Sequence, residues 1–272
     1  MNTLISPLHA LILGVVEGLT EFLPVSSTGH LILTAHWLKL EGDAVKTFEV
    51  VIQTGAILAV LGLYRERAAS MWRGLLGGDS DGRRLLLNLL VSFLPAAAIG
   101  FALRHAIKER LFGVVPVIQA LAVGGIFMIV VSRWLASHSG SGKTIETMGI
   151  SDALIIGLAQ CLSLWPGTSR AMVTLVAGML IGLPAPLAAE YSFLLALPTL
   201  GAATALDALQ GGAALWQAAG PVSIGCGLIS AGLVAVVAIR AFVSYLTSRG
   251  LAPFGWYRVA LAALVWLTMA RA

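Results

Sequence analysis

The sequence has 272 residues, of which 58% are hydrophobic and 11% charged, and its mean hydropathy is +0.92. Soluble globular domains carry about 25% charged residues, so this composition excludes an ordinary soluble domain and is typical of a membrane protein. A net charge of +4 would suit a nucleic-acid-binding protein, but the basic residues lie mostly in short connections between apolar runs. That distribution follows the positive-inside bias, so we expect no nucleic-acid partner.

Residues 4–38, the first predicted element, form an apolar run that is interrupted by Glu17, Glu21 and Pro24. This pattern predicts two half-length helices that meet at a polar break, which membrane depth tolerates only where protein or a water-filled cavity satisfies the backbone. The two glutamates are spaced to share one helix face. A charged side chain at the bilayer centre costs about 2.5–3.5 kcal/mol, so these carboxylates need a cation, a proton or a basic partner.

Hydroxyl side chains follow this break directly. Pro24 ends the first half-helix, and Ser26, Ser27 and Thr28 lie where the second one begins. Free backbone N–H groups and the helix dipole at such a start favour a phosphate. His30 lies three residues beyond Ser27, so both side chains can face the same cavity.

Six further runs are close to the ~20 residues needed to cross the hydrocarbon core. The spanning helices that they predict cover residues 46–64, 86–104, 114–135, 187–208, 219–240 and 252–270. With the broken regions, they predict a single all-α integral membrane domain over residues 1–272.

A second broken region, residues 151–183, lies in the other half of the chain. Its interruptions are Gln160, Pro166 and Arg170, and Thr168 and Ser169 place two hydroxyls just before the arginine. The planar guanidinium of Arg170 can bind two phosphate oxygens at once, which a lysine cannot do. Hydroxyls, carboxylates and a histidine from one break, with hydroxyls and an arginine from the other, predict a site for phosphoryl transfer.

The two broken regions align with one another when Gly14 is placed opposite Gly157 and one gap is allowed before the serines. An acid follows each break in the next helix, Glu49 in the first half and Glu190 in the second. Paired broken helices in corresponding positions indicate an inverted repeat with a site between the halves, here about 1–136 and 151–272.

The boxes Glu17–His30 and Pro166–Arg170 resemble those of the undecaprenyl-pyrophosphate phosphatase family of the bacitracin-resistance type. The likeness extends to FEVVIQTGAIL and EYSFLLALP, and thus over nearly the full length. One departure is Ala171, where the family usually has a serine after its arginine. That position cannot supply an essential hydroxyl here.

The resemblance implies dephosphorylation of a C55 isoprenyl pyrophosphate at the outer face of the bacterial inner membrane, with a divalent cation, Mg²⁺ or Ca²⁺. It also implies interlocked inverted repeats with two re-entrant hairpins. We expect a multi-pass protein whose partners are this lipid substrate and membrane lipid. The sequence leaves a homodimer open.

The expected site divides by role. The residues expected in catalysis are Glu17, Glu21, Ser27, His30 and Arg170. Those expected to bind phosphate are Ser26, Thr28, Thr168, Ser169 and Arg170, while Glu17 and Glu21 would hold the cation and Glu49, Gln160 and Glu190 would surround the site. Ser27 is the candidate nucleophile with His30 moving the proton, although direct attack by water stays open.

A transporter or flippase is the rival interpretation, because inverted repeats with broken helices are typical of transporters. Orientation follows from the loop after the 46–64 helix, which carries the largest basic cluster and is expected in the cytoplasm. The site then faces the periplasm.

Overall fold

A computed structural model describes residues 4–111, 113–136 and 142–269, and within these ranges every regular element is helical. The predicted all-α class is therefore confirmed. The helices are α1 Pro7–Thr20, α2 Ser27–Trp37, α3 Asp43–Leu63, α4 Arg65–Leu75, α5 Ser80–Arg110, α6 Val114–Ala136, α7 Ile150–Gln160, α8 Arg170–Leu180, α9 Ala185–Leu246 and α10 Ala252–Met269. Short 3₁₀ turns, Ile145–Thr147 and Cys161–Leu164, flank α7. Residue 270, the end of the last expected span, lies outside the described residues.

Membrane-crossing length and apolarity are found, within the described residues, in four helices: α3, α5, α6 and α9. The remaining apolar helices, α1, α7, α8 and α10, are shorter. The segment expected as a basic loop after α3 contains the helix α4, and α5 begins at Ser80 rather than near residue 86. Arg65, Glu66 and Arg67 are followed there by Ala68 and Met71, which lie three residues apart on one face of the helix, and α4 packs on α5.

Helix α9 spans 62 residues but folds back on itself at Gly220, which has φ 68° and ψ 170° and precedes Pro221. The rings of Phe193 and Phe242 lie 6.3 Å apart, whereas a straight helix would separate them by roughly 70 Å. The two limbs, 185–219 and 221–246, are therefore antiparallel. They correspond to the two separate spans expected at 187–208 and 219–240.

Glycines permit the closest helix contacts between the two halves of the chain. A Cβ on Gly14 of α1 would collide with Ser230 and the carbonyl of Gly227 in the second limb of α9. A Cβ on Gly157 of α7 would lie 2.8 Å from Cα of Ser92 in α5. Each broken region thus packs against a helix of the other half, because the absent side chains let the backbones approach.

Both breaks end in the same backbone geometry. Ser26 caps α2 with φ 75° and ψ 94°, and Ser169 caps α8 with φ 73° and ψ 110°. Each serine hydroxyl accepts a hydrogen bond from the amide three residues on. Ser26 is therefore the counterpart of Ser169, and the gap used to align the sequences was wrong. The ungapped register places Ser27 opposite Arg170, each as the first residue of its helix.

Candidate active site

The two breaks meet at a buried contact of three side chains. Ser27 Oγ donates a 2.5 Å hydrogen bond to Glu21 Oε2, and Arg170 Nη2 lies 3.1 Å from Glu21 Oε1. The arginine also donates from Nη1 to the carbonyl of Ser192, at 2.8 Å. Glu21 and Arg170 side chains are only 5% and 8% exposed, so water screens their attraction weakly. One carboxylate thus connects the hydroxyl of the first break to the guanidinium of the second.

Glu17 lies one helical turn before Glu21 and is fully buried. Neither of its carboxylate oxygens has a hydrogen-bond partner among the described residues. Its charged neighbours are the carboxylates of Glu21 and Glu49 and the guanidinium of Arg170. A buried carboxylate without a partner is costly, so this position fits a group that would supply the missing positive charge.

The other expected phosphate ligands adjoin Ser27 and Arg170 in the chain. Ser26 and Ser169 use their hydroxyl oxygens as helix caps, at 3.3 and 3.2 Å. Thr168 immediately precedes the second cap and is partly exposed, while its amide donates to the carbonyl of Trp165. Thr28 borders a cavity of about 470 Å³ that Glu49 also lines. Thr28 and Glu49 therefore line a common space.

His30 has both ring nitrogens engaged. Nδ1 lies 2.7 Å from the carbonyl of Ser26, and Nε2 lies 2.7 Å from the hydroxyl of Tyr257 in α10. Because a carbonyl only accepts, Nδ1 carries the proton and a neutral ring receives the tyrosine hydrogen bond at Nε2. The structure therefore places the Ser27 hydroxyl against Glu21 and not against His30.

Two expected outer residues lie elsewhere. Gln160 is buried between α5 and α9, where its side chain bonds Ser92 and Thr199 at 3.5 and 3.4 Å. Glu190 receives a 2.7 Å hydrogen bond from Arg67, beside the C-terminal end of α3. Neither joins the contact of Glu21, Ser27 and Arg170.

Arg67 also donates to Glu146, at 2.6 Å, and this hydrogen bond lowers the pKa of the Glu146 carboxyl. Arg67 thus forms an ion cluster with Glu146 and Glu190, and two of its members, Arg67 and Glu190, line a cavity of about 570 Å³. It lies past the C-terminal end of α3, whereas the cavity with Thr28 and Glu49 borders the N-terminal part of that helix.

Sequence reasoning missed two residues of α10. Tyr257 contacts His30, and the fully buried Arg258 bonds backbone carbonyls of both breaks. The available signal was an arginine in the middle of an apolar run, since intramembrane charges are functional by default.

Comparison with known proteins identifies the family of the chain. Residues 10–264 match the family described as bacitracin resistance protein BacA. The chain belongs to this family.

Relatives that this chain resembles include undecaprenyl-diphosphatases from several bacteria. The one from Sorangium cellulosum (strain So ce56) is 52% identical over 95% of this chain and 85% of its own. The Nitrosomonas europaea relative is 43% identical over 96% of this chain and 94% of its own. Undecaprenyl-diphosphatase 2 of Shewanella oneidensis is 40% identical over 95% of this chain and 96% of its own. The resemblance expected from the two boxes is thereby confirmed.

Proposed function

We propose that this BacA-family protein is an undecaprenyl-diphosphatase, which hydrolyses undecaprenyl diphosphate to undecaprenyl phosphate and orthophosphate. The product is the lipid carrier of peptidoglycan and other envelope glycans, and its recycling confers bacitracin resistance. The observation that carries the proposal is the contact of Ser27, Glu21 and Arg170 across the two breaks. It supplies a hydroxyl, a proton acceptor and a phosphate ligand within one buried site.

Ser27 is the nucleophile in the mechanism that we propose. Its oxygen attacks the terminal phosphorus while its proton passes to Glu21, which already accepts a 2.5 Å hydrogen bond from this hydroxyl. The bond from phosphorus to the bridging oxygen breaks, and undecaprenyl phosphate leaves. Water then hydrolyses the phosphoserine and releases orthophosphate. This geometry favours Glu21 over His30 as the first proton acceptor.

Arg170 binds the phosphate oxygens. Its Nε is buried without a hydrogen-bond partner among the described residues, so part of the guanidinium is free for a ligand. A planar fork aimed at developing negative charge lowers the barrier to transfer. The N-termini of α2 and α8, where Ser27 and Arg170 lie, add the favourable ends of two helix dipoles.

A divalent cation, Mg²⁺ or Ca²⁺, is the cofactor that we propose, with Glu17 and Glu21 as its ligands. The unpartnered carboxylate of Glu17 supports this assignment. No group of three or more His, Cys, Asp or Glu side chains within the described ranges is placed to hold a metal. Two carboxylates suffice for Mg²⁺ when substrate phosphates complete its coordination. Such a cation would neutralise charge on the diphosphate.

The membrane arrangement is part of the proposal. We place α3, α5, α6, both limbs of α9 and α10 across the bacterial inner membrane as six spans. The α1–α2 and α7–α8 pairs would be re-entrant hairpins of an inverted repeat. Their short lengths and the interlocked contacts of Gly14 and Gly157 support this. The cavity of Thr28 and Glu49 would then open to the periplasm, opposite the basic segment after α3.

The deciding experiment is phosphate release from undecaprenyl diphosphate by purified protein in detergent. Turnover there identifies an enzyme, because no membrane exists across which a pure transporter could act. The Glu21→Gln protein is the control for contaminating phosphatases, since it loses the proposed proton acceptor without a change of size. Equal rates for both proteins would contradict the assignment.

A further inference from the structure

Arg258 lies in the middle of α10 and is fully buried. Among the described residues it forms no salt bridge, so no carboxylate neutralises its charge. Its hydrogen bonds go instead to backbone carbonyls. On α6 it donates from Nη2 to Ala120 O at 3.0 Å and from Nε to Leu121 O at 3.4 Å. These two bonds fix the guanidinium against α6.

The remaining bonds of Arg258 join the two breaks. Nη1 donates to Pro24 O at 3.3 Å, and Nη2 donates to Gly167 O at 2.8 Å. Pro24 lies two residues before the cap Ser26, and Gly167 lies two residues before the cap Ser169. The two carbonyls are therefore structural counterparts, 143 positions apart in the chain and held by one side chain.

Only arginine suits this position. Its five donors form a rigid planar fork, whereas a lysine has one compact ammonium on a flexible stem. The fork needs the room that Gly124 of α6 leaves, because a Cβ there would collide with the Arg258 guanidinium. Four carbonyl oxygens also offset the cost of burying an unpaired charge.

We propose that Arg258 is a positioning residue that fixes the two breaks relative to one another. Ser27 and Arg170 each begin their helix directly after a cap serine, so the register of the breaks determines their separation. Arg258 thereby keeps the nucleophile and the phosphate ligand facing one phosphoryl group. The inference rests on the proposed function for its catalytic consequence but not for its structural one.

Turnover tests the catalytic consequence. We expect Arg258→Met, which keeps the long apolar stem, to lower kcat about a hundredfold with little change in KM, because a misplacement of about 1 Å costs that much. We expect Arg258→Lys to recover little of the loss, since it restores charge but not the fork. The control is Asn88→Leu, which removes a buried hydrogen bond to Met148 O at 3.2 Å. If it lowers the melting temperature equally yet keeps its kcat, general destabilisation is excluded as the cause.

Hydrogen exchange tests the structural consequence without any turnover. In Arg258→Met the cap amides of Gly29 and Met172 should exchange faster together, whereas the α5–α7 contact around Ser92 should be unchanged. Gly124→Ala should have the same effect by displacing the guanidinium, while Gly225→Ala, where a Cβ meets nothing within 4 Å, should not.

The outcomes separate the two proposals. If the wild-type protein releases no phosphate, the proposed function is refuted. If the amides of Gly29 and Met172 nevertheless exchange faster together in Arg258→Met, the positioning role is supported. A fully active Arg258→Lys, an Arg258→Met within twofold of the wild-type kcat, or a uniform rise in exchange would overturn the positioning role.

Discussion

Glu21 is the residue on which the site chemistry depends, because its two oxygens connect Ser27 with Arg170. Glu21→Gln keeps the size but cannot accept the serine proton and leaves the buried Arg170 without its ion-pair partner. We expect kcat to fall by about 10²–10⁴, the usual contribution of a positioned base. Initial rates of phosphate release at saturating lipid measure this. A kcat within threefold of wild type would mean that another group takes the proton.

Glu17 provides a contrasting prediction, since it has no hydrogen-bond partner among the described residues. If it is a cation ligand, Glu17→Gln should raise the half-saturating concentration of Mg²⁺ or Ca²⁺, and high cation should restore part of the rate. Cation titrations of wild type and variant, after treatment with a chelator, measure the shift. Identical titration curves would remove Glu17 from the cation site.

Ser27→Ala distinguishes a nucleophile from a ligand. A hydroxyl that only donates to a charged phosphate contributes about 1.5–3 kcal/mol, which corresponds to roughly ten- to two-hundred-fold in rate. A nucleophile is indispensable, so we expect turnover to vanish and labelled substrate to leave phosphoserine at position 27 of the wild type. Retention of about one per cent of the rate or more, with no phosphoenzyme trapped, would assign attack to water.

The helices themselves were largely predictable, because apolar runs near 20 residues and polar breaks with proline are strong local signals. The expected break residues Glu21, Ser27 and Arg170 do meet. The geometry of this contact was not predictable, since it depends on the backbone conformation of Ser26 and Ser169. That conformation shows that the two breaks align without a gap, so Ser27 and Arg170 occupy equivalent positions in them.

Other features escaped prediction for different physical reasons. The stretch between the two expected spans, residues 209–218, consists mostly of alanine, leucine and glutamine, which are good helix formers. It therefore continues the first limb of α9 as helix towards Gly220 instead of forming a loop. Arg258 could have been noticed as a charge in an apolar run, but its role could not, because its partners are carbonyls from distant segments. Glu190 looked like the counterpart of Glu49, but tertiary packing pairs it with Arg67 instead.

Helix packing through glycine gives a prediction at the scale of elements. Gly14→Ala and Gly157→Ala should each destabilise by about 1–3 kcal/mol, because an added methyl forces tightly packed backbones apart. Gly225→Ala is the matched control: its Cβ meets nothing within 4 Å, and alanine favours helix by up to about 1 kcal/mol. Thermal unfolding in one detergent compares them. An unchanged melting temperature for Gly14→Ala would show that α1 does not pack closely on α9.

At the scale of the whole molecule, two cavities border opposite ends of α3, a helix of 21 residues and thus about 30 Å. The ion cluster of Arg67 with Glu146 and Glu190 lies at the C-terminal end. It joins α4 and α9 to the segment before α7, which links the two halves of the chain on that side.

This link should depend on pH. The folded state lowers the pKa of Glu146 below its ordinary value of 4.5, so its contribution to stability is present above that pH and is lost as pH falls through the lowered pKa. Glu146→Gln should therefore lower the melting temperature slightly at pH 7 and not at all well below pH 4. Parallel melts of both proteins across this range measure it. A difference that persists in acid would assign the effect to packing.

Orientation in the membrane gives the prediction with the widest consequence, because it decides from which side the lipid reaches Ser27. Cys161 and Cys226 are free thiols and should first be replaced by serine, after which single cysteines report the two faces. Ser80→Cys, on an exposed residue at the start of α5, should react with an impermeant reagent only after the inner membrane is permeabilised. Glu41→Cys, on an exposed residue before α3, should react in intact spheroplasts, because it lies at the other end of α3 beside the cavity that Glu49 lines. The reverse pattern would place that cavity in the cytoplasm and the substrate with it.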